Sequence, residues 1–302
     1  MLDQIMLPAP AKINLHLAVG ARRSDGFHAI ASIFQAVSLH DTVSVTLRSV
    51  AGIELVADCG CPVEQNTVWR AASAFLTAAS QSGLKSLPGI AVALDKHIPM
   101  GAGLGGGSSD AASTLVALSL LLPGFVDRPT LLRLAATTGS DVPFFMGSAC
   151  AAVTGRGEIL SPLVPRTDYA LVIVNPGFPV STKEAYGRLD AARSSGLSLG
   201  SSDQDLAGAL RHAIDAYSHE RPEDWRFRND FFDVLSPELP GLEQCRQALL
   251  SFGADFAAMS GSGSSVFGVF SSRAEAERAS SALSPRYACT VAFPLAKLRG
   301  SI

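Results

Sequence analysis

Five of the seven residues from Gly101 to Gly107 are glycine, inside the segment Pro99-Met100-Gly101-Ala102-Gly103-Leu104-Gly105-Gly106-Gly107-Ser108-Ser109. No other stretch constrains the fold as strongly. Without Cβ atoms the backbone can turn left-handed, and a ligand can come close to the main chain. On the N-terminal side Ile90, Val92 and Leu94 recur with the period of a strand. On the C-terminal side an alanine-rich stretch over 108–122 reads as a helix, with serines as N-terminal caps and Pro123-Gly124 as its stop. Inward-pointing amides and the positive end of a helix make a concavity for an anion, and polyphosphate is its natural occupant. A flexible linker would share the glycines, but it would not run from a strand into a helix.

Two known phosphate motifs do not account for this segment. The spacing Gly101-x-Gly103-x-x-Gly106 matches a dinucleotide fingerprint, yet six residues, 95–100, separate it from the strand. No strand ending in an acidic residue stands about 20 positions further on, where Pro123-Gly124-Phe125 lie. In a P-loop a lysine would follow Gly106, and Gly107 occupies that position.

The remaining chain alternates helices and strands less regularly. Strands are predicted around Ile13–Val19, Val43–Leu47, 53–56 and 170–174, and as a strand–turn–strand over 256–260 and 265–270, with a last one over 288–293. Helices are predicted over 66–79, 129–138, 181–192, 238–250 and 273–283, the one at Ser181 opened by a Ser181/Glu184 capping box. Residues 194–204, rich in serine and glycine, read as a loop. This ending points to two-layer α+β packing. With 302 residues, two domains are expected, 1–160 and 161–302.

Composition narrows the function classes. A net charge of −3 supplies no broad positive field for nucleic acid, and no basic run suggests a membrane surface. The N-terminus lacks a basic signal-peptide start, and the apolar run 115–122 is too short to cross a bilayer. Five cysteines argue against a disulfide framework, and Cys59-x-Cys61 has no second pair with which to hold a metal. These features point to a cytoplasmic protein.

Several polar islands stand out. Lys12 and Asn14, in Pro10-Ala11-Lys12-Ile13-Asn14-Leu15, share one face of an otherwise apolar strand, as a solvated edge or as site residues. Asp141, in Gly139-Ser140-Asp141-Val142-Pro143-Phe144-Phe145, reads as a turn residue or as a buried catalytic carboxylate. The loop Arg22-Arg23-Ser24-Asp25-Gly26-Phe27-His28 offers one ring for stacking and one for hydrogen bonding. Ser260-Gly261-Ser262-Gly263-Ser264-Ser265 joins two strands and alone could be a simple hairpin turn.

Together these islands resemble the signatures of the GHMP kinase superfamily, in the same order along nearly the whole chain. The segments 10–15, 22–28, 105–112 and 141–145 are similar to those of members whose acceptor is a cytidine diphosphate-linked polyol, phosphorylated on its tertiary 2-hydroxyl in the non-mevalonate route to isoprenoid precursors. The resemblance implies a two-domain α+β fold, with an N-terminal ribosomal-protein-S5-domain-2-like α/β domain of left-handed β-α-β character and a C-terminal ferredoxin-like domain. It implies ATP with Mg²⁺ as donor, bound by Pro99 to Ser109, and Lys12 and Asp141 as the catalytic pair. It also implies Asn14, His28 and Thr182 on the acceptor, and Phe27 and Tyr186 on the two faces of its cytosine. Phe27 stands where the family commonly has Tyr, and Ser140 where it commonly has Ala. Metal ligands stay open, with Ser108 or Ser109 as candidates, and so does the oligomeric state. A kinase for another alcohol and a non-catalytic sensor are the rival readings.

Overall fold

The structure, a computed structural model, describes residues 3–56, 62–196 and 202–298; Cys59, Cys61 and residues 197–201 of the expected 194–204 loop lie outside them. Its first element is a long antiparallel ribbon of β1 (Gln4–Arg22) and β2 (His28–Arg48). β3 (Gly52–Val56) leads through α1 (Thr67–Gln81) to β4 (Gly89–Asp95), which runs parallel to β3. The glycine loop follows, then α2 (Gly106–Leu121) and α3 (Arg128–Thr138), and β5 (Cys150–Thr154) and β6 (Ile159–Pro162) complete the sheet. β2 is its centre. One of its edges pairs with β1, and the other takes β5 at Ser32–Gln35 and β4 at Thr42–Arg48.

Simple alternation along β1 does not hold. From Ala11 to Gly20 every residue is buried, including Lys12, Asn14 and His16. Register shifts between Pro10 and Lys12 and between Asn14 and His16 re-aim the side chains. Ala11, Ile13 and Leu15 therefore join one apolar cluster, with Leu104 and Phe267, while Leu17 and Val19 join another, with Phe34. The Lys12 side chain is covered by Phe34, Asp141 and the glycine loop, and His16 by Phe227 and Arg228 of the second half of the chain. The amide of Leu17 donates to Arg228 O at 2.8 Å, and that of Asn14 donates to Ser260 Oγ at 3.2 Å.

The second half opens with β7 (Ala170–Asn175), then α4 (Thr182–Ser194), α5 (Asp203–His219), α6 (Asp230–Leu235) and α7 (Pro240–Ser251). β8 (Phe256–Met259), β9 (Val266–Phe270), α8 (Arg273–Leu283) and β10 (Ala288–Ala292) finish it. The sheet order β10-β7-β9-β8, all antiparallel, is ferredoxin-like, with extra helices inserted after β7. No helix among the described residues is long and apolar enough to cross a membrane.

Two expected caps are corrected. Glu184 does not close a capping box on Ser181, whose side chain makes no cap bond; Arg188, one turn on, takes the Glu184 carboxylate at 2.7 Å. A capping box does form one helix later, between Ser202 and Asp205 at the start of α5, in a region where no helix was expected. α2 has no serine cap either. It begins earlier, after a left-handed Gly105, and among the described residues no side chain bonds to its first amides.

Candidate active site

The bare start of α2 is the first component of the site. Its first-turn amides have no intrahelical acceptor, and among the described residues no side chain bonds to them, so they are available to an anion. Two glycines in front of it are sterically required. A Cβ on Gly103, at φ +77°, would lie 2.0 Å from Ser260 O of the second glycine turn. A Cβ on Gly105, at φ +72°, would lie 3.0 Å from Lys12 Cγ. The loop is thus wedged between the β1 lysine and the β8–β9 turn. Ser260 Oγ donates to Gly103 O at 2.9 Å, and Leu104 O accepts the Lys12 amide at 2.9 Å. Asn229, the cap of α6, donates to Met259 O and Gly261 O at 2.7 and 2.9 Å and pins that turn from behind.

Lys12 and Asp141 meet in the cleft, with Nζ 3.5 Å from Oδ2. Lys12 also donates to Asn14 Oδ1 at 2.5 Å and lies 4.4 Å over the Phe34 ring. Burial pushes its pKa below the ordinary lysine range, against the opposing pull of Asp141. Asp141 can reach Lys12 because it opens a short 3₁₀ turn, Val142–Met146, without spending its side chain on a cap. Asn14 Nδ2 in turn donates to Ser32 Oγ at 2.9 Å.

Across the cleft stands one stripe of α4, formed by Thr182, Tyr186 and Asp190 at helical spacing. Thr182 Oγ1 is 3.0 Å from Ser262 Oγ. Tyr186 stacks on His28 with centroids 4.8 Å apart and meets Phe231 edge-on. Burial, and secondarily Asp141, pushes the Tyr186 phenol up to about 12. Phe27 makes no ring contact with Tyr186 among the described residues; it stands 53% exposed at the mouth, under the Arg156 guanidinium.

These residues line one cleft of about 800 Å³ between the two sheets, together with residues 99 to 108. Of the sequence-derived set, Ser109 alone is not on the wall. It is fully buried inside α2, and its amide closes the first helical bond, to Gly105 O. Ser108 remains as the serine facing the cleft.

Other residues of the site carried weaker signals. Lys96, at the cleft edge, bridges the buried Asp41 and Asp110, the latter at 2.6 Å. Asp41 Oδ1 also accepts the amides of His97 and Ile98 at 2.6 and 2.7 Å, fixing the chain as it leaves β4 for the glycine loop. Burial works to lower the Lys96 pKa, yet the two carboxylates together hold it above its ordinary value. Asp110 was legible as the acid of Gly-Ser-Ser-Asp, whereas Asp41 had no local signal. Asp190 was legible as the residue four beyond Tyr186 on the same helix.

Cleft, uncapped helix start and paired lysine and aspartate suit a phosphoryl-transfer enzyme. Two family profiles match the chain, GHMP kinases N terminal domain over residues 66–149 and GHMP kinases C terminal over residues 207–289. A 4-diphosphocytidyl-2-C-methyl-D-erythritol kinase of Treponema pallidum (strain Nichols) is 38% identical over 288 residues, covering 95% of this chain and 97% of the relative. One from Nitratidesulfovibrio vulgaris (strain DP4) is 40% identical over 284 residues, covering 92% and 94%. The crystal structure of a 4-(cytidine 5'-diphospho)-2C-methyl-D-erythritol kinase superposes with a TM-score of 0.79 at 34% identity, covering 96% of this chain and all of the other. The chain belongs to the GHMP kinases, and within them to the 4-diphosphocytidyl-2-C-methyl-D-erythritol kinase family. It is a small-molecule kinase with ATP as its co-substrate.

Proposed function

We propose that the chain transfers the γ-phosphoryl group of ATP to the 2-hydroxyl of 4-diphosphocytidyl-2-C-methyl-D-erythritol, giving the 2-phosphate and ADP. The observation that carries this reading is the Lys12–Asp141 pair, in contact with the glycine loop on one side and facing the His28–Tyr186 stack on the other.

In this reading residues 99 to 108 hold the phosphates through main-chain amides and the α2 terminus. Asp141 accepts a hydrogen bond from the acceptor hydroxyl. A carboxylate is too weak a base to deprotonate an alcohol beforehand, so the proton moves to it late. The new O–P bond forms as the bond between the γ-phosphorus and the β–γ bridging oxygen breaks. The transition state is loose, and positioning dominates. Lys12, beside Asp141, offsets charge on the transferring group. Asn14 and Thr182 orient the polyol. The gap between the exposed Phe27 ring and Tyr186 takes the cytosine, with His28 at its edge.

Mg²⁺ belongs to the same reading. Among the described residues no three His, Cys, Asp or Glu side chains form a metal cage. Mg²⁺ bound chiefly by phosphate and water, with a side chain such as Ser108 completing the set, suits such a wall. Bound there, the ion would neutralise phosphate charge. We also divide the chain into a nucleotide-binding unit, residues 1–160, and a C-terminal unit, residues 161–302, a division that the two separate sheets support.

ADP release measured with and without the cytidine acceptor tests the reaction. Release that depends on the acceptor, with a new phosphate ester at its 2-hydroxyl in the ³¹P spectrum, is expected. Turnover with mevalonate or homoserine but none with the cytidine compound would overturn the substrate.

A further inference from the structure

His28 comes from β2 and Asp190 from α4, 162 residues later, and His28 Nε2 lies 2.8 Å from Asp190 Oδ1. The imidazole is buried, with 5% of its side chain accessible, and Tyr186 is stacked on it with the ring planes 21° apart. A ring held between a stacked phenol and a carboxylate has little freedom to flip. An ionised carboxylate only accepts hydrogen bonds, so the nitrogen that meets it must carry a proton. In a neutral imidazole the other nitrogen is then a bare acceptor. Nδ1 is that nitrogen, and it has no protein partner among the described residues, while the ring itself lines the cleft.

We infer that Asp190 is a specificity-positioning residue, which fixes His28 as the Nε2–H tautomer so that Nδ1 presents an acceptor to the edge of the substrate base. This rests on the proposed cytidine acceptor and adds to it the residue that makes the site choose. The exocyclic group of cytosine is an amine that donates. In uracil the same position is a carbonyl that accepts, and two acceptors facing one another leave both unpaired. Stacking cannot make this distinction, because every base offers a π-face. A polar group buried without its partner is penalised far more heavily than a missing apolar contact, so the tautomer is where selectivity resides. Asp190 itself need not touch the substrate.

The test has two independent arms. In the first, ¹⁵N–¹H spectra of the histidine rings in the free enzyme, with His28 assigned by comparison with His28→Gln, should show the proton on Nε2 alone. A proton on Nδ1, or on both nitrogens at assay pH, would overturn the inference whatever the substrate. In the second, kcat/KM is measured for the cytidine acceptor and its uridine analogue. The wild type should prefer cytidine by at least about tenfold. In Asp190→Ala the cytidine value should fall mainly through KM, the uridine value should fall less, and the preference should shrink to within about threefold. Equal losses on both acceptors would mean that Asp190 only ties α4 to β2, and the inference fails while the substrate reading stands. A wild type that phosphorylates neither nucleotide-linked acceptor would overturn the substrate reading, and the specificity role with it, even if the first arm found Nε2–H. Should Asp190→Ala not fold, the spectra of the wild type still decide the tautomer.

Discussion

Lys12 and Asp141 are a partly desolvated pair in which the Asp141 carboxylate opposes the fall that burial imposes on the Lys12 pKa. Asp141→Asn keeps the shape but loses the charge and the proton acceptor. It should lower kcat by about 10²-fold or more, the range for loss of a general base, and leave KM for ATP nearly unchanged. Steady-state kinetics of the folded variant check this, and near-normal turnover would remove Asp141 from the chemistry. Asp110 makes a different prediction, about stability. Burial pushes its carboxyl up to about 7, against the pull of Lys96, from an ordinary value of 3.8. Between those two values the native protein keeps a proton that the unfolded chain has released. Stability therefore falls as pH rises through that window and levels off above it. Asp110→Asn carries no such proton and should lose less stability than the wild type over the same range, measured by urea unfolding at about pH 4.5 and 7.5. A steeper loss in the variant would mean that the attraction to Lys96, rather than burial, governs the group.

The elements matter through what they leave uncapped or bring into line. α2 begins at a left-handed glycine with free amides, and Gly103 and Gly105 before it have no room for a Cβ. Gly105→Val adds strain at φ +72° and pushes on Lys12 Cγ. It should weaken binding of an ATP analogue by at least about tenfold in calorimetry, since a displaced amide cradle loses several charge-assisted bonds. Unchanged affinity would return the segment to the status of a linker. Asn229 carries a purely structural load, two donations to the β8–β9 turn and the cap of α6. Its replacement by Ala should cost about 2–3 kcal/mol of unfolding free energy, from buried carbonyls left unpaired and a lost cap. On α4, the stripe Thr182, Tyr186, Asp190 shows how a helix whose sequence looks merely polar can be a site wall: the i, i+4 spacing was present in the sequence, but the face it would turn to was not.

At the scale of the whole molecule, the site exists only because the two sheets close on each other. A ligand that binds the closed protein and not the unfolded chain must stabilise it. A non-hydrolysable ATP analogue at about a hundred times its Kd should add about 2.7 kcal/mol, read as a rise in Tm that Gly105→Val cuts to about half or less. Local chemistry alone determined a good deal. The helix Arg273–Leu283, the strands around 90–94 and 170–174, and the glycine loop between strand and helix follow from periodicity and from the absence of Cβ atoms. Those signals act over a few residues, and any fold that uses them must respect them. The expectation that the loop holds phosphate rests on the same local signal. Only tertiary structure decided the rest. β1 is buried on both faces from Ala11 to Gly20 because distant segments, Asp141 and the glycine loop at Lys12, Ser260 at Asn14 and Phe227 at His16, close over it, which no period along the strand encodes. Asp41 meets Lys96 across 55 residues, and His28 meets Asp190 across 162. Groups so far apart in sequence become partners only when chain closure brings them together; Asp41 and Asp110 then hold the Lys96 pKa up against the opposing effect of burial, and a hydrogen bond to Asp190 holds the His28 ring in the cleft.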